Sequence, residues 1–346
     1  MSVTLDGSLP SWAEISSRFD ESALLLGNGL SINVWHAFEY GSLFEHACQE
    51  GLTATDRTLF EGNTNFETVL AGLNTAIRVN ETLAIDAEPV YKRYSSIQRA
   101  LGRVIREVHV GRASVPDSVL EAIRKELVRY EWIFTTSYDL LLYWAMACGG
   151  WKPFIDGFGY RKGDARLEFD PDREVAHDET PVYFLHGALH LVVSGSGVTW
   201  KLRRGDLQTI LDQFGNQIDG DPQARPLLVT EGSGRDKLRA IEGNAYLAHG
   251  LSRLRSVDLP MVVFGSHLGS SDEHLVDALN EHPSRPVAIS MRRAPKRTLA
   301  RRQSDIYGRL ETDTLLFFDS ETHPLGARDL RCKADPAGPS TRSQAS

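Results

Sequence analysis

The segment Ala23-Leu24-Leu25-Leu26-Gly27-Asn28-Gly29-Leu30-Ser31 constrains the fold more than any other stretch of the chain. Four consecutive apolar residues leave no polar face, so a strand here must be covered on both sides, as in a parallel sheet flanked by helices. The run ends directly in a glycine turn, with a hydroxyl two residues past the second glycine. Glycine admits positive φ there and lets the backbone approach a phosphate closely. A helix beginning just after the turn would aim free N–H groups at such an anion. The same pattern also makes ordinary structural turns, so the segment alone fixes a strand and not a ligand.

Further short apolar runs bounded by breakers are Trp132–Thr135, Val182–Leu185, Leu227–Thr230, Met261–Phe264, Val287–Ser290 and Leu315–Phe318. Helix-period stripes lie between them. Phe66, Val69, Leu70, Leu73 and Ile77 make one; Leu238, Ile241, Ala245, Ala248 and Leu251 make another; Leu275, Val276 and Leu279 start a third. Strands alternating with helices predict an α/β chain with a doubly wound, mostly parallel, Rossmann-like sheet. Residues from about 57 to 128 show no strand pattern and are expected to form a helical insertion after the first strand. Residues 149–180, rich in Gly, Asp, Arg and Pro, are expected to form an irregular excursion. Val198–Leu202 is expected to add a short antiparallel strand at the sheet edge. Residues 1–332 are thus expected to form a single domain, and 333–346, nearly devoid of apolar residues, a disordered tail.

With 346 residues, 41% hydrophobic and 24% charged, the chain can build a large core. A net charge of −8 argues against direct nucleic-acid binding or a membrane-surface role, both of which need a basic face. Arg292, Arg293, Lys296, Arg297, Arg301 and Arg302 are clustered, and helical spacing makes most of them a solvated face. Cys48, Cys148 and Cys332 form no C-x-x-C pair, so the chain cannot build a Cys₄ zinc ribbon. Met1 to Asp20 has no signal-peptide core, and the longest apolar run, Leu140 to Cys148, is too short to span a bilayer. A soluble, cytoplasmic protein is expected.

Three more segments end a strand in chemistry-bearing residues, at the strand ends where doubly wound folds bind ligands. Trp132–Thr135 runs into Thr136-Ser137-Tyr138-Asp139, where a hydroxyl can cap the next helix or both groups can meet a ligand. Val182–Leu185 runs into His186-Gly187; a histidine at a strand end, beside a glycine that opens space, suits a base near pH 7 or a structural hydrogen bond. His190 lies four residues on, but no H-E-x-x-H pattern supports a metal pair. Met261–Phe264 runs into Gly265-Ser266 and on to Asp272, which reads as a helix cap or an acceptor for ribose hydroxyls.

Taken in order, these segments resemble the sirtuin-like NAD-binding superfamily. Its G-x-G-x-S turn is matched by Gly27-Asn28-Gly29-Leu30-Ser31, its T-T-N-Y-D by Thr135-Thr136-Ser137-Tyr138-Asp139, its H-G by His186-Gly187, and its late G-x-S turn by Gly265-Ser266 to Asp272. Asn65-Phe66-Glu67 is similar to the N-F-E element of bacterial members. His186 to Leu191 and Thr230 to Lys237 resemble an uncharacterised bacterial subfamily. The resemblance spans roughly residues 20 to 320.

It implies NAD as substrate, with Gly27, Asn28, Gly29, Ser31, Thr136, Gly265, Ser266 and Asp272 holding it, and Ser137, Asp139 and His186 serving cleavage of the nicotinamide–ribose bond. It also implies anti-phage defence by NAD depletion, in a homo-oligomer or with a partner ATPase. Sirtuin deacylases carry a Cys₄ zinc module, so the absence of those cysteines disfavours deacylation, and no zinc is expected. The family asparagine is Ser137 here, a shorter side chain, and Asn28 is the neighbour that could supply an amide in its place. Three other readings stay open: a sensor that binds NAD or ADP-ribose without turnover, an ADP-ribosyl transferase, and an unrelated doubly wound enzyme. A dehydrogenase is disfavoured because Ile32 breaks G-x-G-x-x-G and no clear acidic residue follows a second strand about 20 residues on, as dinucleotide dehydrogenases need.

Overall fold

A computed structural model describes residues 5–35, 40–61, 64–109, 111–160, 166–194, 196–202, 224–229 and 234–332. The strands, in chain order, are β1 Ala23–Leu26, β2 Trp132–Thr135, β3 Phe154–Ile155, β4 Phe158–Tyr160, β5 Leu167–Phe169, β6 Thr180–Phe184, β7 Gly187–Val193, β8 Thr199–Lys201, β9 Arg225–Leu228, β10 Met261–Phe264, β11 Val287–Met291 and β12 Leu315–Asp319. Seven of them form a sheet in the order β12-β11-β10-β1-β2-β6-β3. All its pairings are parallel. β1 and β10 are buried at every position, as their unbroken apolar runs require.

The register sets up the site. Leu26 pairs with both Phe264 and Thr135, and Thr135 pairs with Phe184. The ends of β10, β1, β2 and β6 therefore form one row, and four strand-to-turn transitions open on the same edge. β1 feeds chain toward β2 on one side, while β10 leads to β11 on the other. Such a switch in direction leaves a crevice beyond the strand ends.

Between β1 and β2 the described chain is helical: Gly29–Val34, Tyr40–Glu50, Ala54–Thr58, Phe66–Thr82, Glu88–Val108 and Asp117–Leu127. The insertion thus begins earlier than residue 57. The predicted stripe of Phe66, Val69, Leu70, Leu73 and Ile77 is buried. Asp56 is fully buried, closes a capping box with Thr53 and pairs with Arg93 at 3.2 Å, tying two insertion helices together.

Several expectations need correction. The stretch 149–180 is not an irregular excursion: it contains β3, β4 and β5. These strands have two or three residues each, too few to show a pattern between glycines and charges. A second sheet, β4-β5-β8-β7-β9, is antiparallel throughout. It takes in the predicted strand near Val198 as β8, and the run near Leu227 as β9, a strand of this sheet and not of the parallel one. Thr230, Glu231 and Gly232, and the tail from 333 to 346, lie outside the described residues. The stripe from Leu238 to Leu251 is two helices, Gly234–Glu242 and Ala245–Ser256, divided where Asn244 accepts from the Leu247 N–H as N-cap. No described helix is long and apolar enough to cross a membrane.

Candidate functional site

The two glycine turns meet before any ligand is considered. The Gly29 N–H donates to the Gly265 carbonyl at 2.9 Å. A Cβ on Gly27 would lie 2.4 Å from the Gly265 oxygen, and one on Gly29 would lie 2.5 Å from the Gly265 Cα. Gly265 itself has φ +70°. The glycines expected to let backbone approach a phosphate are thus needed first for backbone to approach backbone. Ser266 Oγ accepts from the Leu268 N–H, and Ser290 Oγ accepts from the Gly265 N–H, so β11 braces the late turn.

Beside these turns β1 and β2 bring a hydroxyl–carboxylate cluster together. Ser31 Oγ and Ser137 Oγ each donate to Asp139 Oδ2 at 2.5 Å, and lie 3.3 Å apart. Asp139 Oδ1 accepts from the Leu141 N–H at 2.8 Å. All three side chains are buried. Asn28 Oδ1 lies 3.4 Å from Ser137 Oγ, so the amide of the first turn reaches the cluster. The Thr136 N–H donates to the Leu26 carbonyl, holding the two strand ends together. The carboxylate has accepted three donors and retains about one lone-pair site for a ligand.

His186 stands between the two sheets, in the two-residue link from β6 to β7. Gly187 makes the link possible at φ +77°, where a Cβ would lie 1.9 Å from the Leu227 oxygen. The His186 side chain is buried, and its Nε2 lies 2.9 Å from His274 Nε2. His274 sits in the first turn of the helix Glu273–Asn280 that follows β10. Nearby, the buried Lys237 ammonium donates to Asp272 Oδ1 at 3.1 Å. Burial, then Lys237 and His274, hold the His186 pKa well below its ordinary value of 6.5. Burial also lowers His274 to about 4, with Lys237 and Arg255 adding and Asp272 opposing. Both rings are therefore neutral at pH 7.

Asp272 makes no side-chain cap bond, and its carboxylate serves Lys237. His190 is fully buried within β7, under the Tyr143 and Phe184 rings, and neither ring nitrogen has a partner among the described residues. Among the described residues no group of three or more His, Cys, Asp or Glu side chains is placed to hold a metal. Sequence reasoning missed His274 and Lys237. The only signal was the short spacing Asp272-Glu273-His274 at a helix start.

On the other side of the glycine turns a cavity of about 680 Å³ opens beyond β10, β11 and β12. Its lining includes Gly29, Gly265 and Ser266, and carries four arginines, Arg292, Arg302, Arg309 and Arg331, against two carboxylates, Asp305 and Glu321. Glu321 pairs with Arg331 and Arg328, while Arg309 donates to the Leu268 and Gly269 carbonyls. The predicted basic face is exposed, but Arg292 and Arg302 also border this cavity. A positive hollow in a chain of net charge −8 fits an anionic ligand.

No curated protein sequence matches the chain. Among solved structures it is similar to a Sir2 enzyme determined for the mechanism and regulation of that class, at 13% identity over 91% of this chain and 93% of that one, with a TM-score of 0.41. It is also similar to Sir2Af2 bound to a myristoylated histone peptide, at 11% identity over 90% and 92%, with a TM-score of 0.32. Residues 24–325 match the family model described as a domain of unknown function, DUF4917, and the chain belongs to that family.

Proposed function

We propose that the chain is an NAD glycohydrolase that cleaves the bond between nicotinamide and ribose to give nicotinamide and ADP-ribose. The observation that carries this reading is the row of strand ends. In order along one edge stand the positive cavity, the interlocked glycine turns, the Ser31–Ser137–Asp139 cluster and His186. A dinucleotide laid along that edge has its pyrophosphate at the turns and the N-terminus of the helix Gly29–Val34, and one nucleoside in the cavity. Its other end then falls among the carboxylate, the hydroxyls and the histidine. The ordered motifs of the sirtuin-like superfamily support the same orientation.

As the C1′–N bond breaks, its electron pair leaves with nicotinamide and the ribose gains oxocarbenium character. The buried Asp139 carboxylate stabilises that positive charge in a site of low dielectric. Water adds to C1′, and neutral His186 takes its proton, directly or through a ribose hydroxyl. Ser137 and Asn28 position the water. Bacterial defence by NAD depletion, and work within a homo-oligomer or beside an ATPase, rest on the motif resemblance alone.

A second reading, binding of NAD or ADP-ribose without turnover, is favoured by one observation. Ser31 and Ser137 already give their only hydroxyl protons to Asp139. Incubating the purified chain with NAD and measuring free nicotinamide separates the two. Steady release supports hydrolysis; tight NAD binding with no release supports the sensor. Transfer of label from tagged NAD onto protein would point to a transferase.

A further inference from the structure

We propose that His274 is a positioning residue for His186: it accepts the His186 Nε2–H and so leaves Nδ1 as the bare nitrogen of His186 that meets the substrate. This rests on the assignment of His186 as base. Two neutral imidazoles facing each other Nε2 to Nε2 at 2.9 Å share one proton in that contact, and only two arrangements exist. If His274 donated, His186 would carry its single proton on Nδ1 and have its Nε2 lone pair filled. Neither nitrogen could then accept a proton. If His186 donates, Nδ1 is free to act.

In that arrangement His274 carries its own proton on Nδ1, a buried nitrogen with no acceptor among the described residues, and Asp272 is the charge with the largest influence on the ring. Lys237, its side chain only 3% exposed, acts electrostatically on both histidines, and its partner Asp272 on His274. Burial opposes a net positive charge on the pair and keeps the shared proton count at two, with Lys237 adding to this and Asp272 opposing it at His274. The arrangement is built by distant parts of the sheet. The ends of β10 and β6 are three strand spacings apart, about 14 Å, with β1 and β2 between them. The segment from Gly265 to Glu273 carries the chain back toward β6 and delivers His274 to His186.

The test is a long-range ¹H–¹⁵N spectrum of the ¹⁵N-labelled full chain near pH 7.5, combined with nicotinamide-release kinetics of two variants. The expected spectrum shows His186 as the Nε2–H tautomer and His274 as the Nδ1–H tautomer. His274→Phe is expected to lower kcat by about 10²-fold with KM nearly unchanged. His274→Gln, whose amide oxygen can accept the same proton, is expected to recover most of that loss. A His186 proton on Nδ1 overturns the proposal, as does a folded Gln variant no better than Phe. The spectrum decides the tautomer even if the wild type releases no nicotinamide, so a failure of the hydrolase reading is told apart from a failure of this one. It also decides if the Phe variant does not fold.

Discussion

Two buried polar clusters flank the same strand ends, and they are built on opposite terms. In the Ser31–Ser137–Asp139 cluster each described donor has an acceptor, and the partners come from the segments that follow the adjacent strands β1 and β2. In the His186–His274 cluster one buried ring nitrogen, His274 Nδ1, has no partner among the described residues, and an ion pair lies nearby. Its members come from β6, the helix after β10, and the helix Gly234–Glu242. The first cluster ties the two strand ends together. The second bears a cost, because buried polar atoms without partners destabilise by about 1–3 kcal/mol. Such a cost is commonly retained where chemistry needs it.

The largest effect expected from breaking this contrast is on rate. His186→Ala should reduce nicotinamide release by about 10²–10⁴-fold while the circular dichroism spectrum stays native, because the residue sits in a link between sheets and not within a strand. An equally active variant would remove His186 as the base. A variant that fails to fold would make the histidine pair a structural device.

Next comes stability, and here the first cluster should dominate. Asp139→Ala leaves two buried hydroxyls and the Leu141 N–H without an acceptor. The expected loss is on the order of 3 kcal/mol, read from the denaturant midpoint. A loss no larger than that of Ser137→Ala would mean that the carboxylate contributes little to holding β1 and β2 together.

The third test uses acid. His274 has a folded pKa of about 4, below its unfolded value of 6.5. Between these values the unfolded chain binds more protons, so stability is full above pH 6.5 and is lost as pH falls toward 4. The loss from this ring is about 1 kcal/mol by pH 5.5 and roughly 3 kcal/mol once protonation is complete. His274→Gln, which does not titrate, should therefore lose less stability between pH 7.5 and 5 than the wild type does. Parallel losses would show that the ring is not neutral at neutral pH in the way its burial dictates.

The smallest effect is expected at Ser137. Placing an amide there with Ser137→Asn should raise turnover a few-fold, because Asn offers both a donor and an acceptor. A fall in turnover would show that the short hydroxyl bond to Asp139 is an adapted part of this site.

The first cluster was legible in the sequence because its strands are. β1, β2 and β10 begin and end where their apolar runs do, since a strand buried on both faces writes itself as a continuous run. Gly27, Ser31, Ser137 and Asp139 follow those ends by a few residues, so position along the chain predicts position in space. The second cluster was half legible. His186 follows β6 directly, but His274 comes to it across 88 positions of sequence and sits in what reads as a helix stripe. Periodicity places a residue on a face and says nothing about which distant residue it meets. The second sheet was lost for a different reason: runs of two or three residues, such as β3 and β5, carry no period at all.

The contact between the glycine turns has a mechanical consequence. The loops after β1 and β10 mesh like cog teeth, with each glycine seated where the other loop's backbone would otherwise be displaced. Neither can swing without dragging the other, so a hinge cannot lie between them. If the crevice opens to admit a long ligand, the turns after β1 and β10 move as one jaw, and the turn after β2 is tied to them through Ser31, Ser137 and Asp139.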